Sequence, residues 1–296
     1  MSVPRCQRTV RKPVAVEGFG YFSGRDVRVE FRPAPAGSGV TFVRGDVSPA
    51  ARVPVSPALR VDVPRRTSLQ WRGVRVEMVE HVLAALAGLE IDNCDVWVNA
   101  AEMPGCDGSA LAFVEALDAV GTVDQMAPVR QIHVKRRIRV GDDTSWIEAS
   151  PARGGGLSVA FDLDYSAHPA IGRQKIRLSV HPATFRTELA PCRTFLEEAV
   201  AQAMFAQGVG QRVTTQNLLI FGPDGPIENT LRFDNECVRH KVLDVVGDLA
   251  LTGCQVVADV VACRSGHRLH AELAKQMMEQ AGITRSELIL ERRVSA

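Results

Sequence analysis

The sequence predicts an α+β fold made of two similar domains, and three observations carry that prediction. At 296 residues the chain is longer than one ordinary core accommodates, so two domains are the natural expectation. Each half runs through strands, a helix, a strand and a second helix. The segments "EHVLAALAGLEIDNCDVWVNA" (80–100) and "RHKVLDVVGDLALTGCQVVADVVA" (239–262) are also alike. Both set a His at the start of an apolar helix and then pass a polar turn and a Cys into a Val-rich strand, as an old internal duplication would. Domain one is then 1–125 and domain two 126–296. If the two His-bearing helices meet at a pseudo-symmetric interface, His81 and His240 come together.

In chain order, "RTVRKPVAVEG", "RDVRVEFRPAP" and "SGVTFVRGD" alternate apolar and polar residues between Gly, Pro and Asp breaks and read as strands. The Ala- and Leu-rich segment 76–89 reads as a helix stopped near Gly88, and "NCDVWVNA" as a short strand. A second helix opens on the N-cap candidates Asp107 and Ser109 and closes at Gly121. "TVDQMAPVRQ" reads as a linker. Strand character returns in "IHVKRRIRV", "SWIEAS", "LSVAFDLDY" and "QKIRLSV", with "ARGGG" as a turn. "FLEEAVAQAMFAQG" is helical, "NLLIFG" a strand, and "PDGP" a turn. The helix "ECVRHKVLDVVGDLALTG", the strand-like "CQVVADVVACRSGH" and the amphipathic helix "RLHAELAKQMMEQAG" complete the chain.

Composition sets the class. Hydrophobic residues are 46% and charged residues 23%, the profile of a globular protein, and a net charge of +1 gives no nucleic-acid footprint. No apolar run approaches the roughly 18 residues of a membrane span. The N-terminus lacks the apolar core of a secretory signal. Seven scattered cysteines without a C-x-x-C pair point to a reduced, cytoplasmic protein. Cys237, three residues before His240, reads as a small apolar residue rather than a ligand.

The chemistry is concentrated in residues 236–253. His240, Asp244 and Asp248 recur every four residues and share one face of a largely apolar helix. Such a stripe is either a cation site or an internally hydrogen-bonded polar seam, and buried carboxylates without partners are costly. His81 lies in a helix that is apolar nearly all round. With His240 and Asp244 it completes two histidines, one aspartate and an open position, the pattern of a catalytic zinc site; a structural site favours four protein ligands with Cys prominent. Glu80 is either a first-turn acid or a general base beside that site. His267, just before the last helix, is either a cap or a general acid held by Asp248. His270, one turn on, is expected at the surface. Thr194 reads as an N-cap or a group that polarises a carbonyl, and Phe195 as core or as the wall of an apolar groove.

The motifs "EHVLAALAGLEIDN", "MPGCDGSALAFV", "CRTF", "LRFDNECVRHKVLDVVGDL" and "SGH", in that order, resemble the UDP-3-O-acyl-N-acetylglucosamine deacetylases, from "QRTVRKPVAVEGFGYFSG" to the final helix. The resemblance implies a zinc amidase of the committed step of lipid A synthesis, with helices sandwiched between two sheets. It implies one Zn²⁺ per chain, or Fe²⁺ in the cell, held by His81, His240 and Asp244. Glu80 would be the base, His267 oriented by Asp248 the acid, and Thr194 the oxyanion donor. Phe195 would flank the sugar, with Lys241 and Arg264 facing the polar or diphosphate part. An insertion at about 195–230 would take the acyl chain. The partner expected is a UDP-linked acylated amino sugar, and the chain is expected to be a monomer. This sequence has Phe22 where many members have a His, "QRVTT" in place of glycines in the insertion, and Gln70 where some have a Cys, a secondary metal contact at most. Two rivals are a zinc amidase acting on another acylated amino sugar and a non-enzymatic binder of nucleotide sugars; the latter would be expected to have lost a ligand or Glu80.

Overall fold

The computed structural model describes residues 4–47 and 51–283. The first half contributes β1 (Cys6–Val10), β2 (Val14–Phe19), β3 (Asp26–Pro33), β4 (Val40–Arg44), β5 (Arg52–Pro54), β6 (Arg60–Val61), β7 (Ser68–Trp71) and β8 (Val74–Glu77). Then come α1 (Glu80–Gly88), β9 (Cys94–Val98), α2 (Leu111–Val120) and β10 (Thr122–Pro128). The second half begins with β11 (Gln131–His133), β12 (Ile138–Gly141), β13 (Trp146–Ser150), β14 (Leu157–Tyr165) and β15 (Gly172–Val180). A single turn α3 (Pro182–Thr184), β16 (Phe195–Glu197), α4 (Glu198–Ala206), β17 (Leu219–Gly222) and β18 (Gly225–Pro226) follow. The last elements are α5 (Glu236–Leu249), β19 (Gln255–Cys263) and α6 (His267–Gln280).

Alternation drives the sheets. In β3, Val27, Val29 and Phe31 are buried while Asp26 and Arg28 face solvent, the period of two that puts one face on the core. The first main sheet has the order β2-β3-β9-β4-β5 and the second β12-β13-β19-β14-β15. In both, the central strand runs antiparallel to one neighbour (β3 or β13) and parallel to the other (β4 or β14). One helix precedes that strand and one follows it. The two five-strand paths therefore share strand order and orientations.

The helices meet between the halves. α5 packs on α1 and α6 and against β14 and β15, α6 against β12 and β13, and α2 against β2. The approach of α1 to α5 depends on Gly247, because a Cβ there would lie 2.1 Å from the Glu80 carbonyl oxygen. On the two helices Val82, Leu83, Leu86, Val242, Leu243 and Val246 are all buried. Among the described residues, no helix is long and apolar enough to cross a membrane.

Three sequence readings change. The stretch 122–131, predicted as a linker, holds β10, which pairs antiparallel with β1 and so runs across the boundary drawn at 125. Its residues gain a strand partner from more than a hundred positions away, which local pattern does not reveal. Residues 195–197, predicted to start a helix, form β16 parallel to β17, and the helix begins at Glu198. The sequence also fails to announce β5 to β8, since strands of two to four residues are too short for a period to show.

Candidate active site

The first turn of α1 presents Glu80 and His81, and α5 presents His240, Asp244 and, next to its C-terminal end, Asp248, all buried. The 3.6-residue repeat puts the α5 residues on one stripe, and the close helix contact at Gly247 turns that stripe toward α1. His81 and His240 meet edge to face with ring centroids 5.2 Å apart. Their Nε2 atoms lie 3.8 and 3.4 Å from Asp244 Oδ1. The one ligand atom each residue offers lies within 4.8 Å of the other two.

Whether this cluster fits a cation can be judged from its protons. Asp244 Oδ1 is buried and has no hydrogen-bond partner, an expensive state that a cation would relieve. Burial, reinforced by His240, pushes His81 down to about 3, and burial also lowers His240, so both imidazoles are neutral at pH 7. Burial works against the Asp244 charge, but Lys241 and the histidines hold its carboxyl well below the usual range. Neutral imidazole and ionised carboxylate are the ligating forms. His240 Nδ1 donates to the Cys192 carbonyl at 3.1 Å, which leaves the Nε2 lone pair for the cluster. The second His/Asp group, Asp248, His267 and His270, differs. There both Nδ1 atoms lie 2.8 Å from Asp248 Oδ2, so a proton already fills each gap.

Glu80 and His267 face each other beside the cluster, with Glu80 Oε1 4.0 Å from His267 Nε2. Glu80 Oε2 accepts from the Thr67 N–H at 2.9 Å. Burial pushes Glu80 up to about 7; the His267 charge opposes the rise and Asp248 adds to it. For His267 burial works downward, and Asp248, with Glu80 and Asp244, overcomes it and raises the imidazole to about 9. Between those values Glu80 is a carboxylate and His267 an imidazolium, both charged at once. Burial would raise Asp248, but its imidazole donors hold it well below the carboxylate range. Thr67 Oγ1 donates to Asp248 Oδ1 at 2.5 Å.

Glu80, His81, His240, Asp244 and His267 line one cavity of about 590 Å³, together with Thr194, Phe195 and Lys241. The Thr194 hydroxyl lies 3.0 Å from the Gly108 carbonyl and 3.2 Å from His240 Nε2. Gly108, at φ +85°, must be glycine, since a Cβ would lie 2.7 Å from the Asn217 carbonyl. Phe195 stacks edge-on against Tyr165 and His240. One branch of the cavity is walled by Leu196, Met204, Phe205, Val213 and Ile220 from the insertion. Lys241 Nζ holds Asp244 Oδ2 at 2.6 Å.

Other residues fall elsewhere. Arg264 is exposed and is not among the cavity's lining residues; the arginines on that wall are Arg60, Arg65 and Arg268. Arg264 has a left-handed backbone (φ 49°) just before the turn into α6, and Arg268, on the first turn of α6, lines the cavity. Gln70 is exposed and accepts from Arg75, away from the cluster. Phe22 lines the cavity beneath the Arg66 guanidinium, 3.8 Å from the ring centroid. His270, expected at the surface, is fully buried, because α6 turns its first-turn face into α5 rather than outward.

Sequence reasoning also missed a clamp. Arg193 donates through its backbone N, Nε and Nη2 to the fully buried Glu236, and through Nη1 to Asn229. This pair fixes Thr194 and the Cys192 carbonyl against the first turn of α5. The Arg in "CRTF" and the Glu opening "ECVRH" carried no periodic signal, and only their distance in the chain (43 residues) hid the pairing.

A carboxylate and an imidazolium facing each other in one cavity, next to two neutral histidines and a carboxylate oxygen without a partner, suit metal-assisted hydrolysis. The particular family follows from comparison with known proteins. The family model for UDP-3-O-acyl N-acetylglycosamine deacetylase (LpxC) matches residues 7–279, and the chain belongs to that family. A UDP-3-O-acyl-N-acetylglucosamine deacetylase of Anaeromyxobacter sp. (strain Fw109-5) is 38% identical over 94% of this chain and 90% of its own length. Those of Brucella ovis and Brucella melitensis biotype 2 are 37% identical over 92% of this chain and 95% of theirs.

Proposed function

We propose that this chain hydrolyses the N-acetyl group of UDP-3-O-(3-hydroxyacyl)-N-acetylglucosamine, releasing acetate, in the committed step of lipid A biosynthesis. The observation that carries the reading is the opposed pair Glu80 and His267 beside the unpartnered Asp244 Oδ1. His81, His240 and Asp244 would hold one Zn²⁺, a site Fe²⁺ also suits. A cation there supplies Lewis acidity, making water a better nucleophile and the amide carbonyl a better electrophile.

The chain's own groups do the proton work. Glu80 is ionised above about 7 and takes the proton of the attacking water, while the Thr67 N–H keeps its second oxygen aimed. Thr194 can turn its single hydroxyl proton from the Gly108 carbonyl to the developing oxyanion. His267, charged below about 9 and oriented by Asp248, gives its proton to the sugar nitrogen, which would otherwise leave as an amide anion. Phe195 flanks the sugar, and the apolar branch takes the acyl chain. The diphosphate faces Lys241 and the other cationic residues lining the cavity, Arg60, Arg65 and Arg268. We read 1–125 and 126–296 as two domains, the reaction taking place in the cytoplasm and the chain acting as a monomer.

The test is acetate release from that substrate by the purified protein, with a chelator and after zinc is restored. Turnover abolished by the chelator and restored by zinc is the expected result. No turnover by folded, metal-loaded protein would reject the substrate and point to another acylated amino sugar.

A further inference from the structure

Asp248 serves two imidazoles. Its Oδ2 lies 2.8 Å from His267 Nδ1 and 2.8 Å from His270 Nδ1, while Oδ1 takes the Thr67 hydroxyl. His270 Nε2 lies 2.9 Å from Ser265 Oγ, and Ser265, His270 and Asp248 are all buried. A carboxylate only accepts, so His270 donates through Nδ1, and Nε2 is left to accept from the Ser265 hydroxyl. Ser265, in the turn before α6, thereby fixes the tautomer of a residue on α6, which in turn engages a carboxylate on α5. This chain of bonds lies behind Glu80 and His267, and its three residues are buried and outside the lining of the cavity that holds that pair.

We infer that His270, locked by Ser265, is a positioning residue for the acid: it takes a share of the Asp248 carboxylate and so keeps His267 aimed and ready to release its proton. The inference rests on the deacetylase reading for the task of His267, but the bonds do not. Oδ2 divides its acceptor strength between a neutral N–H from His270 and the charged N–H of His267. Without the first, the second is gripped harder, and a proton held harder is transferred more slowly. The other charged or titratable groups around the two rings are Asp244, His240 and Lys241 on α5 and Glu80 and His81 on α1. None of these bonds to His270; it meets His267 edge to face, with ring centroids 6.1 Å apart, and the hydrogen-bonded route between the two rings runs through Asp248.

The test compares zinc-loaded wild type, His270→Leu, His270→Asn and Ser265→Ala. The ring-nitrogen NMR titration of His267 is one readout, and the pH dependence of kcat and KM the other. In His270→Leu the His267 titration is expected to move up by about one unit, with kcat falling about fivefold and KM unchanged. Asn offers an N–H to Asp248 and an acceptor to Ser265, so His270→Asn is expected to restore both. An unmoved His267 titration in His270→Leu, or no restoration by Asn, overturns the proposal. Should the Leu variant fail to fold, Ser265→Ala decides: a shift in the same direction supports the proposal and an unchanged titration overturns it. The NMR arm needs no substrate, so it stands or falls separately from the choice of substrate.

Discussion

Replacing Asp248 by Asn removes the charge that keeps His267 protonated and leaves a side chain of the same shape. His267 stands at about 9 against an ordinary 6.5, and burial alone would put it below 6.5. The Asp248 carboxylate is the leading upward cause, so in Asp248→Asn the imidazole is expected to fall by about two units or more, roughly 3 kcal/mol. At pH 8 the wild-type ring is about nine-tenths protonated, and a ring at its ordinary value about one-thirtieth. Loss of the acid form alone then lowers the rate about thirtyfold at pH 8. The assay is kcat/KM for acetate release between pH 5.5 and 10. Wild type is expected to give a bell with limbs near 7 for Glu80 and near 9 for His267. In the variant the basic limb moves below the acidic one, and the residual activity peaks below pH 7. A basic limb still near 9 would refute the assignment of His267 and Asp248 as acid and orienter.

Three further outcomes bear on the scaffold and the cavity. Gly247→Ala forces a methyl against the Glu80 carbonyl and is expected to destabilise by about 3 kcal/mol, read as a lower Tm, and to weaken zinc retention as α1 is pushed from α5. Arg193→Ala takes the guanidinium from the fully buried Glu236, leaving it the backbone N–H groups of residues 193 and 232, and is expected to lose about 3 kcal/mol in urea unfolding; a loss below 1 kcal/mol would show that the clamp is not what holds Thr194 in place. Arg268→Ser is expected to raise KM for the nucleotide sugar severalfold with kcat little changed, while Arg264→Ser leaves both near wild type. The reverse order would return the diphosphate contact to Arg264.

What the sequence reveals of this site is what lies along a helix. His240, Asp244 and Asp248 share one element, and a four-residue repeat in an apolar context is visible without a structure. His81 and Glu80 are legible for the same reason. Thr67, Ser265 and His270 are not, because their importance lies in which element they meet. Thr67 sits one residue before a four-residue strand and touches both Glu80 and Asp248. His270 falls on an amphipathic helix whose buried face is set by the packing of α6 on α5, so a polar residue there reads as exposed until the partner helix is in place. The sheets show the same divide. Long alternating strands such as β14 and β19 are evident, whereas β6 to β8 and the β1–β10 pair depend on partners the local pattern does not name.

The central claim is that Glu80 moves the proton of the attacking water and does not hold the metal. Its most direct test is Glu80→Gln, measured for zinc per chain and for acetate release in the same preparation. The expected result is one zinc per chain, as in wild type, with turnover lower by about 10²–10⁴-fold. Turnover near wild type with zinc in place would contradict the role given to Glu80, and loss of zinc would place Glu80 among the ligands.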